Sequence, residues 1–354
     1  MQYKQIGILG GNGVIGYALT EALSELNDIQ IKVGTRTDYF KKLNLAHVKY
    51  EKLYLDNSEK LKNFMSGCEI IVNCTGYFDQ KIIKSCIECH AHYLDTSGIC
   101  GLEQEVQQLD DNLKKQRLSV IQFVGVNPGL TEVLIAYCKK LYTVDKLEMF
   151  FSGTGNLSKS AILEIIKTSK PPYSYSQMYL KNGTKTKLDY MIKTLNLQPF
   201  MKAFYCIPLI SCHFINCVQQ LQVPKAYFFN VFRDQIIISQ MAEAKFLYQN
   251  NETNKAIERL ATAFKNYGNS RSTYTLIKVI INNNTELTFQ STIDWNALTV
   301  IILYSTVSLI LQSRIKSHGI KPLYEAINVK ELISELKKNA TVTIEKNPRG
   351  EYIE

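Results

Sequence analysis

The amino-acid sequence predicts an α/β fold, with a doubly wound parallel sheet in the first part of the chain and a second α/β domain after it. Short apolar runs alternate with helical patterns over residues 5–141, a rhythm typical of a parallel sheet covered by helices on both faces. A glycine-rich turn joins the first run to the first helix. The length of 354 residues exceeds one typical compact domain and suits two.

The elements of the first part follow from their apolar patterns. Strands are predicted at Gln5–Leu9, Ile29–Val33, Val48–Tyr50, Glu69–Asn73, Ala91–Leu94 and Ser119–Val124. Helices are predicted at Val14–Leu26, Ser58–Met65, Lys81–Cys89, Leu102–Gln116 and Thr131–Leu141. Ser58 is expected to cap the second helix, because a serine hydroxyl can accept a free backbone N–H at a helix start.

The rhythm changes in the second part of the chain. A strand is predicted at Lys146–Phe151 and a helix at Lys159–Lys167. The tyrosine- and lysine-rich segment Tyr173–Tyr190, which follows two prolines, is predicted to be a loop or a lid.

A hairpin is predicted near the end of the chain, with strands at Tyr274–Ile281 and Glu286–Ile293 around an asparagine-rich turn. A buried amphipathic helix is expected after Asp294, ending near His318-Gly319, since glycine tolerates the left-handed conformation of a helix C-cap. A last helix is predicted at Val329–Lys338.

The composition is that of a globular protein, with 45% apolar and 21% charged residues. The net charge is +9, but the basic residues are dispersed and show no zinc-finger or RNA-recognition spacing, so nucleic acid is not expected as a partner. Nine cysteines without framework spacing, and no export signal ahead of the first strand, favour the cytoplasm. The longest apolar stretch, within Ala297–Leu311, is too short to span a bilayer. The basic and aromatic content of residues 171–220 permits peripheral membrane association but does not demand it, and membrane association is not expected.

The most informative motif is the glycine-rich turn after the first strand, which is a candidate phosphate-binding loop. Its residues are Gly10, Gly11, Asn12, Gly13, Val14, Ile15 and Gly16. Gly11, Gly13 and Gly16 give the spacing G-x-G-x-x-G between a strand and a helix. Glycine allows a tight turn and close approach of a pyrophosphate, whose charge meets the free N–H groups at the helix start. The motif predicts a Rossmann-type NAD(P)-binding domain.

The end of the second strand bears on the choice of cofactor. A site for NAD usually places an acidic residue here to bond the ribose 2′-hydroxyl. This chain has Thr35, Arg36 and Thr37, and a guanidinium can form a charge-assisted fork with a 2′-phosphate. We therefore expect NADP (NADPH) rather than NAD, although Asp38 nearby leaves NAD open, and Arg36 could simply be solvated.

Three further loops are expected at the same edge of the sheet, because ligands of open α/β sheets bind at the carboxyl ends of the strands. They follow the fourth, fifth and sixth strands at Val72–Phe78, His92–Gly98 and Gly125–Gly129. The candidate cofactor-binding residues in them are Cys74, Thr75, Gly76, Ser97 and Asn127.

Together these segments resemble the saccharopine dehydrogenase (saccharopine reductase)-like family of NAD(P)-binding oxidoreductases. The matching segments are ILGGNGVIG, VGTR, IVNCTGYF, HYLDTSG and GVNPGLTEVLIA. The resemblance implies a Rossmann domain at 1–130, a mixed-sheet α/β domain for substrate binding and dimerisation at 131–295, and C-terminal helices at 296–354 that return to the Rossmann domain. It also implies hydride transfer with a nicotinamide cofactor, and often a homodimer.

Two residues are candidates for catalysis, since hydride transfer also needs a proton source. Tyr77 could donate a proton or a hydrogen bond near the nicotinamide, or it could be a packing aromatic. Asp95 could act as an acid or base, or it could bond its own loop. No metal site is expected: the C-x-x-C-H string at Cys86–His90 lies on a predicted helix and has no second ligand pair.

The leading hypothesis is an NADP-dependent oxidoreductase that transfers hydride to an imine formed from amino-acid or polyamine units. Reduction of an activated carbon–carbon double bond is the alternative reaction on a small-molecule substrate. A non-catalytic NAD(P)-binding sensor or partner protein is the alternative from another class, because Tyr77 and Ile99 depart from residues common in the family.

Overall fold

The computed structural model describes residues 4–37, 42–98, 102–196, 203–269, 272–339 and 342–348. Two compact units divide the chain. The first unit comprises Met1–Leu130 and Asn296–Asn339, and the second comprises Thr131–Trp295 and Ala340–Glu354. Each unit has its own β-sheet.

The strands are β1 (Lys4–Leu9), β2 (Ile29–Thr35), β3 (Val48–Lys52), β4 (Ile70–Asn73), β5 (His92–Asp95), β6 (Ser119–Gln122), β7 (Lys146–Gly153), β8 (Ser174–Ser176), β9 (Met178–Lys181), β10 (Thr184–Lys187), β11 (Lys193–Asn196), β12 (Ala203–Ser211), β13 (Lys225–Phe232), β14 (Thr275–Ile281), β15 (Thr285–Ser291), β16 (Gly319–Pro322) and β17 (Val342–Pro348). The helices are α1 (Val14–Ser24), α2 (Ser58–Met65), α3 (Gln80–Glu88), α4 (Leu102–Lys115), α5 (Thr131–Leu141), α6 (Lys159–Thr168), α7 (Cys212–Gln220), α8 (Ile236–Gln249), α9 (Thr253–Asn269), α10 (Trp295–Leu311), α11 (Leu323–Ala326) and α12 (Val329–Asn339).

The first unit contains a seven-stranded sheet in the order β16-β6-β5-β4-β1-β2-β3. Every neighbouring pair in it is parallel. The order reverses between β1 and β4, which is the arrangement of a doubly wound sheet. The predicted fold class is therefore confirmed.

One face of this sheet packs on α2, α3 and α4. Leu61 and Phe64 of α2, Ile83 of α3 and Tyr93 of β5 all lie in this core and are at most 1% exposed. The strands read as continuous apolar runs, as expected where both faces of a parallel sheet are covered.

The cap of α2 differs from the prediction. Asn57, not Ser58, is the N-cap, because its backbone is extended and its side chain accepts from the backbone N–H of Lys60. Ser58 is the first helical residue.

The end of the apolar helix also differs from the prediction. Helix α10 ends at Leu311, where the ammonium of Lys4 donates to the Leu311 carbonyl, and it is buried around its circumference rather than on one face. Gly319 does not end a helix. It begins β16, the seventh strand, which pairs with β6 from Gly319 opposite Ser119 to Pro322 opposite Gln122.

The second unit contains a mixed sheet with the main order β10-β9-β13-β7-β14-β15-β17. Strands β7 and β13 are parallel, whereas β14 is antiparallel to β7 and to β15. The predicted hairpin is confirmed, with Ile281 opposite Thr285 beside its turn. Helices α6, α8 and α9 form a separate apolar core that includes Ile162, Ile237 and Phe264.

The prediction of a loop or lid at Tyr173–Tyr190 is wrong. The segment forms β8, β9 and β10, and a tight turn at Asn182-Gly183 joins β9 to β10. Both turn residues have positive φ angles, 49° and 75°, a conformation for which asparagine and glycine are favoured.

No helix in the part of the chain that the structure describes is long and apolar enough to cross a membrane.

Candidate functional site

The glycine-rich loop connects β1 to α1 at the carboxyl edge of the first unit's sheet. Gly10 has a φ of +87°, and the N–H groups of Gly10 and Gly11 both donate to the carbonyl oxygen of Gly34, at 2.9 and 3.2 Å. A Cβ atom on Gly11 would lie 2.0 Å from Cγ1 of Val33, and one on Gly16 would lie 2.4 Å from the Gly10 carbonyl oxygen. The loop therefore packs so tightly against β2 and α1 that these positions require glycine.

The start of α1 faces solvent. Asn12, Gly13 and Val14 are exposed, and the first turn of the helix carries no acidic side chain. Gly13 occupies the N-cap position without a side chain to cap the helix. The first N–H groups of a helix lack intrahelical partners and favour negative charge, so this helix start can receive a phosphate.

The end of β2 lies beside the glycine-rich loop. Thr35 is buried, whereas Arg36 and Thr37 are exposed. The side-chain amide of Asn12 donates to the hydroxyl of Thr37 at 2.6 Å, and the Thr35 and Thr37 hydroxyls lie 3.3 Å apart. Among the residues that the structure describes, no carboxylate forms an ion pair with Arg36. Asp38, which leaves NAD open, lies outside those residues.

The loop after β4 is organised by Asn73, which is fully buried. Its amide nitrogen donates to the carbonyl oxygen of Tyr77 at 2.7 Å and to the hydroxyl of Tyr93 at 2.8 Å. Its amide oxygen accepts from the N–H and from the hydroxyl of Thr75, at 3.0 and 2.6 Å. Gly76 has a φ of +68°, which lets the loop turn back on itself.

Cys74 begins this loop, where its N–H donates to the Leu9 carbonyl. Burial, with a smaller contribution from Asp95, raises the pKa of the Cys74 thiol to about 12. Cys74 is therefore a thiol at neutral pH and not a nucleophile.

Asp95 ends β5 and lies inside the fold, with 3% of its surface exposed. One carboxylate oxygen accepts from the hydroxyl of Tyr93 at 2.6 Å, and the other accepts from the N–H of Ser97 at 2.7 Å. Burial raises the pKa of Asp95, and the hydrogen bonds that it accepts oppose that shift. This carboxylate therefore connects Tyr93 of its own strand to Ser97 of the loop that follows.

Tyr77 projects outward and is 45% exposed. Its hydroxyl donates to a carboxylate oxygen of Asp79 at 3.2 Å. Partial desolvation and the bond to Asp79 raise the pKa of the Tyr77 hydroxyl. Tyr77 is thus accessible from solvent and keeps its proton at neutral pH.

The loop after β6 completes this edge. Gly129 has a φ of +126°, and a Cβ atom there would lie 2.2 Å from the Phe123 carbonyl oxygen. Asn127 precedes a cis peptide bond to Pro128 and is partly exposed.

Two further residues of this edge, Tyr93 and Gln122, were not predicted from the sequence. Both read as ordinary strand residues, since nothing in a single sequence marks a buried tyrosine hydroxyl as a bonded one. The side-chain oxygen of Gln122 is buried at the end of β6 and has no hydrogen-bond partner among the described residues. Those residues also hold no cluster of side chains suited to a metal ion.

The comparisons with known proteins agree with this geometry. Residues 6–121 match the family model described as the saccharopine dehydrogenase NADP binding domain. A search of curated protein sequences finds no match. The structure is similar to that of an apo saccharopine dehydrogenase (L-Glu forming) from Saccharomyces cerevisiae, with a TM-score of 0.67 and 14% identity over 98% of this chain and 100% of that one. It is less similar to a mutant meso-dapdh from Clostridium tetani, with a TM-score of 0.45 and 14% identity over 94% and 98% of the two chains.

The matched domain is an NADP-binding domain, and the fold of the chain is similar to that of a saccharopine dehydrogenase. The dinucleotide-binding domain of this chain, at residues 6–121, belongs to the saccharopine dehydrogenase-like NAD(P)-binding family. The resemblance read from the sequence motifs is thus confirmed.

Proposed function

We propose that this protein is an NADP-dependent reductase that transfers hydride between NADPH and an imine formed from an amine and a carbonyl compound. The observation that carries the choice of NADP is the exposed guanidinium of Arg36 at the end of β2, beside the Asn12–Thr37 hydrogen bond. A 2′-phosphate is a dianionic group that a guanidinium binds through paired, charge-assisted hydrogen bonds.

Each loop at the carboxyl edge of the first unit's sheet is assigned one part of the cofactor. The pyrophosphate would lie over the glycine-rich loop, with Gly11, Gly13 and Gly16 allowing close approach and the N–H groups of Val14 and Ile15 facing its charge. Gly10 and Asn12 complete that loop, and Thr35 and Thr37 supply hydroxyl donors beside Arg36. The residues Cys74, Thr75, Gly76, Ser97 and Asn127 would border the nicotinamide end.

The cofactor supplies the hydride when it is bound. Tyr77 carries an exposed hydroxyl at this edge, and Asp79 accepts its hydrogen bond. Tyr77 would hydrogen-bond the substrate nitrogen by turning its hydroxyl away from Asp79. Asp95 is buried and accepts hydrogen bonds from Tyr93 and from Ser97, so its role would be to orient the loop that carries Ser97.

The reaction would take place on a small-molecule substrate in the cytoplasm, and the second unit would shape the substrate site and a homodimer contact. Reduction of an activated carbon–carbon double bond is the alternative reaction. It would use the same hydride donor, bound at the same carboxyl edge of the first unit's sheet. A binding protein without turnover would take up NADPH and oxidise none of it.

A titration of NADPH and NADH fluorescence tests the proposal, on the unchanged protein and on Arg36→Ala. We expect NADPH to bind more tightly, and the preference to fall by roughly tenfold to a hundredfold when the charged bonds are lost. Arg259→Ala is the control, because Arg259 is an exposed arginine of the second unit that pairs with Glu243. Equal binding of both cofactors would remove the role of Arg36, and no binding of either would reject the function.

A screen of amine–carbonyl mixtures then separates the reactions. NADPH oxidation with such mixtures supports imine reduction, and oxidation with conjugated enones alone supports the alternative.

A further inference from the structure

The hydroxyl of Tyr93 occupies the middle of a buried hydrogen-bond chain between two loops of the first unit. Tyr93 is 0% exposed. Its hydroxyl lies 2.8 Å from the amide nitrogen of Asn73, at the end of β4, and 2.6 Å from the carboxylate of Asp95, at the end of β5. A buried polar chain of this kind is stable when each member has its partners.

The directions of these bonds follow from counting hydrogens. The amide group of Asn73 has two hydrogens, and they are directed at the carbonyl oxygen of Tyr77 and at the hydroxyl of Tyr93. The Tyr93 hydroxyl therefore accepts from Asn73 and donates its own proton to Asp95. Asp95 is the acceptor at the end of this chain, and the side chains of Asn73 and Ser97 also lower its pKa through hydrogen bonding.

The ends of the chain reach the backbone of both loops. On the side of β4, the amide oxygen of Asn73 holds the N–H and the hydroxyl of Thr75. On the side of β5, Asp95 holds the N–H of Ser97. Thr96 adds a second connection, through its N–H and hydroxyl to the Asn73 carbonyl at 3.3 and 3.1 Å.

We propose that Tyr93 is a positioning residue that fixes the loops after β4 and β5 as a single surface for the nicotinamide end of the cofactor. This inference rests on the proposed function. The residues that Tyr93 holds indirectly include Thr75 and Ser97, which border that end, and Tyr77, whose backbone carbonyl accepts from Asn73. Tyr93 itself touches no solvent and takes no part in the reaction.

The first test is amide hydrogen exchange on the full chain without cofactor, comparing Tyr93→Phe with Tyr274→Phe. The phenylalanine keeps the buried ring and removes the hydroxyl. Tyr274 is the matched control: it is a buried tyrosine of the second unit, and its hydroxyl lies 2.8 Å from that of Ser152.

We expect Tyr93→Phe to speed exchange several-fold in residues 74–77 and in residues 96–98 together, and Tyr274→Phe to change neither segment. Faster exchange in 96–98 alone, or equal changes in the two variants, would overturn the coupling, since either result describes a local or a general loss of stability.

The second test is NADPH affinity, compared at a temperature where both variants are fully folded. Tyr93→Phe is expected to weaken binding about tenfold, because loops that the hydroxyl no longer holds must be ordered when the cofactor binds, and Tyr274→Phe to leave the affinity unchanged. Unchanged affinity in Tyr93→Phe overturns the positioning role while the proposed function stands. If the unchanged protein binds no NADPH, the proposed function fails, and with it the positioning role, whatever the exchange rates show.

Discussion

Asn12 and Thr37 connect the glycine-rich loop to the end of β2, with the amide nitrogen of Asn12 donating to the Thr37 hydroxyl across 2.6 Å. Arg36 lies directly between Thr35 and Thr37 in the chain, so this bond holds the backbone that carries the Arg36 side chain beside the loop. Both partners are exposed, and an exposed hydrogen bond adds little to stability. Its consequence is expected in binding rather than in folding.

Asn12→Ala is therefore expected to weaken NADPH binding by about threefold to tenfold, while the melting temperature changes by no more than a degree or so. The control is Asn112→Ala, which removes a comparable exposed bond from Gln116 at 2.8 Å on α4. Fluorescence titration measures the affinity and thermal unfolding measures the stability. A fall in stability without a fall in affinity would contradict the assignment.

Gly16→Ala is expected to abolish or strongly weaken binding of both dinucleotides, because the new Cβ would meet the Gly10 carbonyl oxygen at 2.4 Å and displace the loop. Gly268→Ala provides the contrast. A Cβ on Gly268, within α9, would find its nearest neighbour at 3.9 Å, and alanine favours a helix by up to about 1 kcal/mol. We expect Gly268→Ala to bind normally and to melt at the same or a higher temperature, and equal affinities for the two variants would rule out tight packing as the reason for Gly16.

The stability of Asp95→Asn relative to the unchanged protein is expected to rise between pH 4 and pH 7. Burial raises the pKa of Asp95, so the folded state takes up this proton more readily than the unfolded state. The resulting stability is present below the ordinary pKa of an aspartate and is lost as the pH rises through the folded pKa. The neighbouring Tyr93 and Cys74 have raised pKa values, Cys74 of about 12, and do not titrate in this window.

Urea unfolding at pH 4, 5.5 and 7 measures this difference. A constant difference across the three pH values would show that Asp95 titrates in the folded protein as it does in the unfolded chain.

His92 is expected to make the protein less stable as the pH falls from about 6.5 towards 4. Burial, with a contribution from His318, lowers the pKa of His92 to about 4, and its Nδ1 accepts from the N–H of Ser119 at 3.1 Å. The lowered pKa means that the neutral ring stabilises the fold above the ordinary pKa of 6.5, and that this stability is lost on acidification. The loss is at most about 3 kcal/mol.

The control for this effect is His92→Gln, whose amide oxygen can accept the same N–H but gains no charge. Thermal unfolding from pH 7 to pH 4.5 is expected to show a flatter dependence in this variant. Parallel curves for the two proteins would exclude His92 as the source of acid sensitivity.

The first unit was largely predictable because its signals are local. The strand, the G-x-G-x-x-G turn and the helix that follows are adjacent in sequence, and their conformation is imposed by glycine at Gly11 and Gly16. The same is true of the β14–β15 hairpin. At Asn182-Gly183 the hairpin signal was present, but the lysines and tyrosines around it suggested a loop. Lys185 and Lys187 lie on β10, at an edge of the sheet, where charged residues are common.

The structural features that could not be predicted from the sequence depend on contacts between residues that are distant in the chain. The strand β16 is short and follows a polar stretch, so its pairing with β6 is visible only in three dimensions. The hydrogen bonds of the Tyr93 hydroxyl to Asn73 and Asp95 are likewise visible only in three dimensions. The final strand, β17, pairs with β15 and was not anticipated.

The late positions of β16 and β17 in the chain leave two sheet edges unpaired during synthesis. β6 receives β16 as its outer neighbour, and β15 receives β17. While the ribosome is still translating the intervening chain, both sheets present an unpaired edge, and an unpaired edge invites association with other nascent chains. A message truncated after the codons for α10 would yield a polypeptide with both edges bare, which would favour aggregation or rapid removal by cellular proteases.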